Sequence, residues 1–256
     1  MLSLQLRLLV LAVAVFTRLP ISARLRGWTQ GLAAPHGLRY LPLAGLLAAL
    51  PMAVAYAIAG IWLPHAVALL LALGAGLLLT GALHESAFTA WCDEAAGGTR
   101  NALGPAGAIG VTLLLLTRFE TLSSIDPSWV AVSMVCAAAF SRGCAVFLLG
   151  TLAGADEGPE RGVQLPDGLD TGIALAGAAL PVAAAALWTG DAGVFGAAAG
   201  MALASAAIGR RVSARRGLGA GPVALGALQQ LAELGFYIGI LATLSIIDET
   251  FADPSS

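Results

Sequence analysis

The chain has 256 residues, 58% of them hydrophobic and 11% charged, with a formal net charge of −2 and a mean hydropathy of +0.86. A soluble domain carries about 25% charged residues, so a water-facing surface is excluded over most of the chain and lipid is its main solvent. The near-zero charge gives no reason to expect a nucleic-acid partner.

In chain order, Met1 to Val15 is apolar around Arg7. It lacks a basic leader and a small-residue cleavage site, and reads as a retained amphipathic segment rather than a signal peptide. A spanning helix needs about 20 mostly apolar residues. Seven stretches qualify: Leu38–Trp62, Ala66–Leu83, Ala106–Leu122, Ser128–Ala153, Thr171–Trp188, Ala192–Ile208 and Val223–Ile247. Gly104-Pro105 and Gly221-Pro222 stand at span starts, where proline is tolerated. Backbone groups in lipid must satisfy one another, so the predicted fold is an all-α polytopic bundle. It forms one membrane domain over 1–256: an N-terminal segment (1–37), the bundle (38–247) and a polar tail (248–256).

Arginine placement orients the bundle. Arg18, Arg24, Arg26 and Arg39 precede the first span, and Arg210, Arg211, Arg215 and Arg216 lie between the last two. The positive-inside rule puts both groups in the cytoplasm, which seven spans allow. The same alternation places the His84–Pro105 and Gly154–Asp170 loops inside. Polar material gathers on one face, which suits a membrane enzyme taking soluble substrates better than a transporter with a mid-membrane site.

The stretch from Thr80 to Gly98 carries the densest chemistry. Read as helix, Glu85, Thr89 and Asp93 repeat at i, i+4 and i+8 on about one face, beside His84. Oxygen ligands of this kind suit a hard cation; the plainer alternative is a solvated helix end. Arg118, Glu120, Arg142 (after Ser141) and Glu233 (after Gln229 and Gln230) are ionisable groups inside spans, where each marks a functional-site hypothesis. Arg142 is expected to pair with Glu233 or Glu120, or to hold a phosphate in its planar fork. The acids Asp156, Glu157, Glu160, Asp167 and Asp170 read as a solvated loop, His36 and His65 as surface histidines, and Cys136 and Cys144 as small core residues. Gly217–Gly221 lacks the Lys-Ser/Thr of a phosphate-binding loop.

Five ordered pieces resemble the cobalamin synthase family (adenosylcobinamide-GDP ribazoletransferase): Phe16-Thr17-Arg18-Leu19-Pro20, Arg39-Tyr40-Leu41-Pro42-Leu43-Ala44-Gly45, Thr80-Gly81-Ala82-Leu83-His84-Glu85 with Gly97-Gly98, Ser141-Arg142, and Leu225-Gly226-Ala227-Leu228-Gln229-Gln230. The resemblance runs from near Phe16 to near Ala242. It implies a Mg²⁺-dependent transferase of the bacterial inner membrane, active face cytoplasmic, joining adenosylcobinamide-GDP to α-ribazole or its 5′-phosphate with release of GMP. Carried onto this chain, the catalytic residues are His84, Glu85 and Asp93, the last two also holding the metal. The substrate-binding residues are Arg18, Arg100, Ser141, Arg142, Gln229 and Gln230. Partners are the two substrates and the bilayer, with a homo-oligomer or other cobalamin-pathway enzymes as further candidates.

The departures are specific. The family's acidic motif, His-Glu-Asp-Gly-Leu-Ala-Asp-Thr-Ala-Asp-Gly, places its three aspartates on Ser86, Ala90 and Asp93, and only the last is an acid here. Its Asp-Ser-Arg-Ile-Gly falls on Ala106-Gly107-Ala108-Ile109-Gly110, and its Thr-Gly-Asp on Gly221-Pro222-Val223. A non-catalytic membrane scaffold that binds a corrinoid or a partner enzyme is therefore the competing expectation, with a small-solute transporter third.

Overall fold

The computed structural model describes residues 2–18, 37–98, 104–152 and 167–252, all helix and turn with no strand among them. A short helix, α1 (Leu2–Phe16), precedes a 3-10 turn (Leu38–Tyr40) that leads into α2 (Leu41–Ala59). Then follow α3 (His65–Thr80), α4 (Leu83–Ala95), α5 (Pro105–Ser123), α6 (Pro127–Leu152), α7 (Gly168–Thr189), α8 (Ala192–Arg216) and α9 (Pro222–Ala252). Six helices are long and apolar enough to cross a membrane, seven if α3 and α4 count as one broken span. The chain is a polytopic membrane helical bundle, as its composition requires. α5 and α9 open on Pro105 and Pro222, the sequence-predicted starts.

The second span is the one that departs. α3 stops after 16 residues and the chain turns by 85° into α4. Gly81 (φ 65°) and Ala82 (φ 53°) both adopt the left-handed conformation there, which costs a non-glycine residue roughly 1–2 kcal/mol. Gly81 is required twice over, because a Cβ would sit within 1.9 Å of the Arg18 Nε. Arg18 N in turn donates to Leu79 O (2.7 Å) at the carboxyl end of α3, where a cation complements the helix dipole.

Long-range pairs bring the arginine-bearing helix ends to one side. Arg39 pairs with Asp170 across the starts of α2 and α7. Arg210 Nε donates to Thr151 Oγ1 (2.6 Å) across the ends of α8 and α6, and Trp91 Nε1 donates to Ser213 Oγ (2.8 Å), tying α4 to α8. Asp170 is thus a buried ion-pair partner rather than a solvated loop acid. Asp167 accepts from Asp170 N (2.6 Å) and caps α7. Asp156, Glu157, Glu160 and His36 lie outside the described residues. His65 is half-buried and shares a 2.8 Å hydrogen bond with Tyr56, so it is no plain surface histidine.

At 1.5 Å per residue, the 31 residues of α9 and the 25 of α8 reach about 46 and 37 Å, against a hydrocarbon thickness of about 30 Å. The excess of α8 lies at the arginine-bearing end. There the four arginines expected in a loop continue α8 to Arg216. α4 fills the angle between these overhanging helices. Its Phe88 and Trp91 form a second small core with Leu114 and Ala227, separate from the large core of the spans.

Candidate functional site

Two sites meet on α4, one at each end. At its carboxyl end Asp93 is buried and its carboxylate spans the opening of α5: Oδ2 accepts from Gly104 N (2.9 Å) and Oδ1 from Gly107 N (2.7 Å). The first N–H groups of a helix lack intrahelical partners and favour an anion, so Asp93 serves as a cap supplied from a neighbouring helix. The glycines make the approach possible. A Cβ on Gly104 or Gly107 would lie 2.4 or 2.3 Å from an Asp93 oxygen, and one on Gly110 would meet Cys92 Sγ at 2.6 Å.

At the amino end of α4, His84 and Glu85 are buried and face a cluster of charge built from four helices. Arg118 of α5 donates from Nη2 to Gln230 Oε1, and its guanidinium lies 3.6 Å from both Glu85 Oε1 and Glu233 Oε1. Gln230 Nε2 donates to Glu85 Oε1 (2.9 Å). Arg142 of α6 donates to Ala138 O (2.7 Å) and stands 4.0 Å from Glu233 Oε2. Gln229 Nε2 and Tyr237 OH each donate to Glu233 at 3.3 Å. These groups surround a partly open cavity of about 40 Å³, closed elsewhere by apolar groups such as Met52 and Leu77.

Glycines of the recognised sequence pieces seat this cluster. A Cβ on Gly45 would come within 2.6 Å of Arg142 Cδ, and one on Gly226 within 2.4 Å of Ala87 Cβ. Those two positions therefore let α2 and α9 close on Arg142 and α4.

Of the sequence-predicted site residues, the structure gathers His84, Glu85, Arg142, Gln229 and Gln230 around one cavity. Arg142 faces Glu233, as one expectation had it, and not Glu120, which is exposed near the end of α5. Ser141 is fully buried and its hydroxyl faces Ala138 O (3.4 Å), away from the cavity lining. Arg18 is exposed at the α3–α4 elbow, and Arg100 lies outside the described residues. Arg118 and Glu233, read from sequence as buried charge, are the centre of the cluster. Tyr237 was missed, although Gln229, Glu233 and Tyr237 repeat at i, i+4 and i+8 along one face of α9.

Comparison with known proteins gives the family. The sequence model described as cobalamin-5-phosphate synthase matches residues 8–241. The chain belongs to this family. Among its relatives, the adenosylcobinamide-GDP ribazoletransferase of Shewanella denitrificans is 36% identical over 141 residues, covering 50% of this chain and 53% of that protein. The protein of the same name from Ralstonia nicotianae is 33% identical over 212 residues, 71% of this chain and 81% of the relative. That from Azorhizobium caulinodans is 31% identical over 252 residues, 90% and 93%. Against the first of these the chain spans about half of the relative's length. No solved structure matches.

The Mg²⁺ implied by the resemblance was expected between Glu85 and Asp93. Eight residues of helix separate their backbones by about 12 Å. One faces the Arg118 cluster and the other has both oxygens occupied by backbone N–H groups. Thr89 Oγ1 is spent on Glu85 O (2.8 Å). No group of three His, Cys, Asp or Glu side chains suited to a metal occurs among the described residues. Glu85 and Asp93 therefore do not fit a shared Mg²⁺ ion, since octahedral coordination at about 2.1 Å needs its carboxylates adjacent.

Proposed function

We propose that this chain is an adenosylcobinamide-GDP ribazoletransferase: it joins adenosylcobinamide-GDP to α-ribazole or its 5′-phosphate and releases GMP. The observation that carries this is the family match over residues 8–241. In support, the recognised pieces on α4, α6 and α9 line one polar cavity, and Gly45 of the α2 piece packs against Arg142 beside it. The arginine-bearing end is the cytoplasmic face of the inner membrane on the positive-inside rule, and it is where the overhanging α8 and α9 and the angled α4 lie.

The reaction exchanges one phosphoryl oxygen bond for another. An oxygen of the ribazole attacks the phosphorus attached to the cobinamide linker, and the bond to GMP breaks. Little covalent work falls to the protein beyond positioning and electrostatic stabilisation. Arg118 and Arg142 are the fixed cations of the site, and the buried Gln230 holds Glu85 in place. The depleted acidic motif is the feature a non-catalytic scaffold would also explain. What favours the enzyme is that the Glu85–Arg118–Gln230 network is complete, while the acids lost from α4 fall on the exposed Ser86 and the half-buried Ala90. The test is turnover: purified protein in nanodiscs, given both substrates, forms a cobalamin product and GMP in equal amounts. GMP release without corrinoid product, or neither product, would overturn the assignment.

A further inference from the structure

Four polar atoms of residues that line the cavity have no hydrogen-bond partner among the described residues: Glu85 Oε2, Gln229 Oε1, Arg118 Nε and Arg142 Nε. The residues that carry them are 1–9% exposed. A polar atom buried without a partner is costly, so four of them on residues lining one cavity point to a group that enters and satisfies them. The chemistry of that group follows from charge and hydrogen bonding. Two arginines face two glutamates, Glu85 and Glu233, so the cluster is balanced and offers an incoming phosphate no net positive charge. The cavity, of about 40 Å³, opens on one side, and an ionised diphosphate has no hydrogen to give the two acceptors on residues that line it. What its wall presents is two N–H donors and two oxygen acceptors. A hydroxyl takes both donors on its lone pairs and gives its hydrogen to one acceptor, which leaves the other acceptor for a neighbouring hydroxyl of the same ribose.

We propose that this cavity receives the attacking hydroxyl of the acceptor nucleoside, with the diphosphate of the corrinoid substrate held outside it; the proposal rests on the transferase reading. Arg118 Nε and Arg142 Nε donate to the hydroxyl oxygen. The O–H bond breaks and its proton passes to Glu85 Oε2. The oxygen's freed electron pair forms the new bond to the phosphorus that carries the cobinamide ester. The bond from that phosphorus to the bridging oxygen breaks, and its electron pair leaves with GMP. Gln229 Oε1, the second acceptor, takes the hydrogen of a neighbouring ribose hydroxyl and so orients the nucleoside. Arginine in this scheme serves the nucleophile, whereas reading Arg142 as a phosphate fork would assign it to the leaving half of the reaction.

The experiment uses the full chain in nanodiscs, with steady-state kinetics varied in each substrate and calorimetric binding of α-ribazole alone. Gln229→Leu removes the Oε1 acceptor, and with it the Nε2 donor to Glu233, at nearly constant volume; Gln229→Glu keeps the acceptor and is the control. Gln229→Leu is expected to raise KM for α-ribazole about tenfold, the equivalent of one lost hydrogen bond, with KM for adenosylcobinamide-GDP within about twofold. Glu85→Gln is expected to lower kcat at least about 100-fold, the usual scale for a lost general base, while α-ribazole still binds. In the wild type, a ribazole analogue lacking the attacking hydroxyl should bind about tenfold more weakly, an arm that needs no variant to fold. Equal changes in both KM values, or full-strength binding of that analogue, would overturn the cavity assignment and leave the transferase reading standing. Binding of α-ribazole that depends on Gln229, without any turnover, would support the cavity and sink the transferase reading.

Discussion

Replacing Asp93 separates a structural carboxylate from a metal ligand. In Asp93→Ala the N–H groups of Gly104 and Gly107 lose acceptors at 2.9 and 2.7 Å. Hydrogen bonds to a charged group contribute about 1.5–3 kcal/mol each, and loss of a helix cap alone costs about 0.5–2 kcal/mol. Because the two bonds share one carboxylate and water reaches part of the helix end, we expect about 3 kcal/mol in total. For a chain of this size that is a fall in Tm of about 6–12 °C, read by tryptophan fluorescence, with Trp91 on the same helix as reporter. Asp93→Asn keeps one acceptor oxygen and should lose about half as much. Since no divalent ion is bound between Glu85 and Asp93 in this account, EDTA should leave the Tm of the substrate-free protein unchanged. An Asp93→Ala protein as stable as the wild type but inactive, or a wild-type Tm that falls on adding EDTA, would refute the capping role and restore the metal.

Three further outcomes follow from particular contacts. Ala82 is held at φ 53°, so Ala82→Gly should raise Tm, the relieved strain of about 1 kcal/mol outweighing glycine's larger unfolded-state entropy. Arg118→Met leaves Glu85 and Glu233 short of a counter-charge and should destabilise by about 3–5 kcal/mol, whereas Arg118→Met combined with Glu233→Met should recover much of that; a double-mutant cycle on denaturation midpoints reads the coupling. At the opposite end of the bundle, the exposed Asp126 carboxyl accepts from Ser128 Oγ and N, which holds its pKa below the usual carboxylate range. A depressed pKa contributes stability above the unfolded value, near 3.9, that is lost as pH falls through the folded value. Asp126→Asn should therefore flatten the acid limb of a Tm-against-pH profile.

Much of the fold was legible because lipid leaves few choices. Apolar runs of about 20 residues, two of them opened by Gly104-Pro105 and Gly221-Pro222, place most of the spans to within a few residues, though α8 runs on past Ile208 to Arg216. The exception was the second: Leu77 to Leu83 reads as one apolar run, and nothing in its composition announces two consecutive left-handed residues at Gly81 and Ala82. The buried charge of Arg118, Arg142 and Glu233 was legible from its cost alone. Its partners were legible only in part, since a pattern along one helix cannot say which face meets which neighbour. The same limit applies to reading Glu85 and Asp93 as one ligand pair. Glu85 and Asp93 share a helical face in projection, yet the rise between them and the glycines of α5 direct them to different partners. That the end of α3 lies beside Arg18 is likewise not legible in the sequence.

The central claim, that this chain still performs the transfer with a depleted acidic motif, is tested most directly by complementation. The chain is expressed in a bacterial strain lacking its own cobalamin synthase and fed cobinamide and dimethylbenzimidazole, with membrane insertion verified by immunoblot. The account predicts cobalamin-dependent growth that Glu85→Gln abolishes and that a Ser86→Ala, Glu94→Gln protein retains. No growth with the wild-type chain present in the membrane would contradict it, and would leave a family member that binds without catalysing.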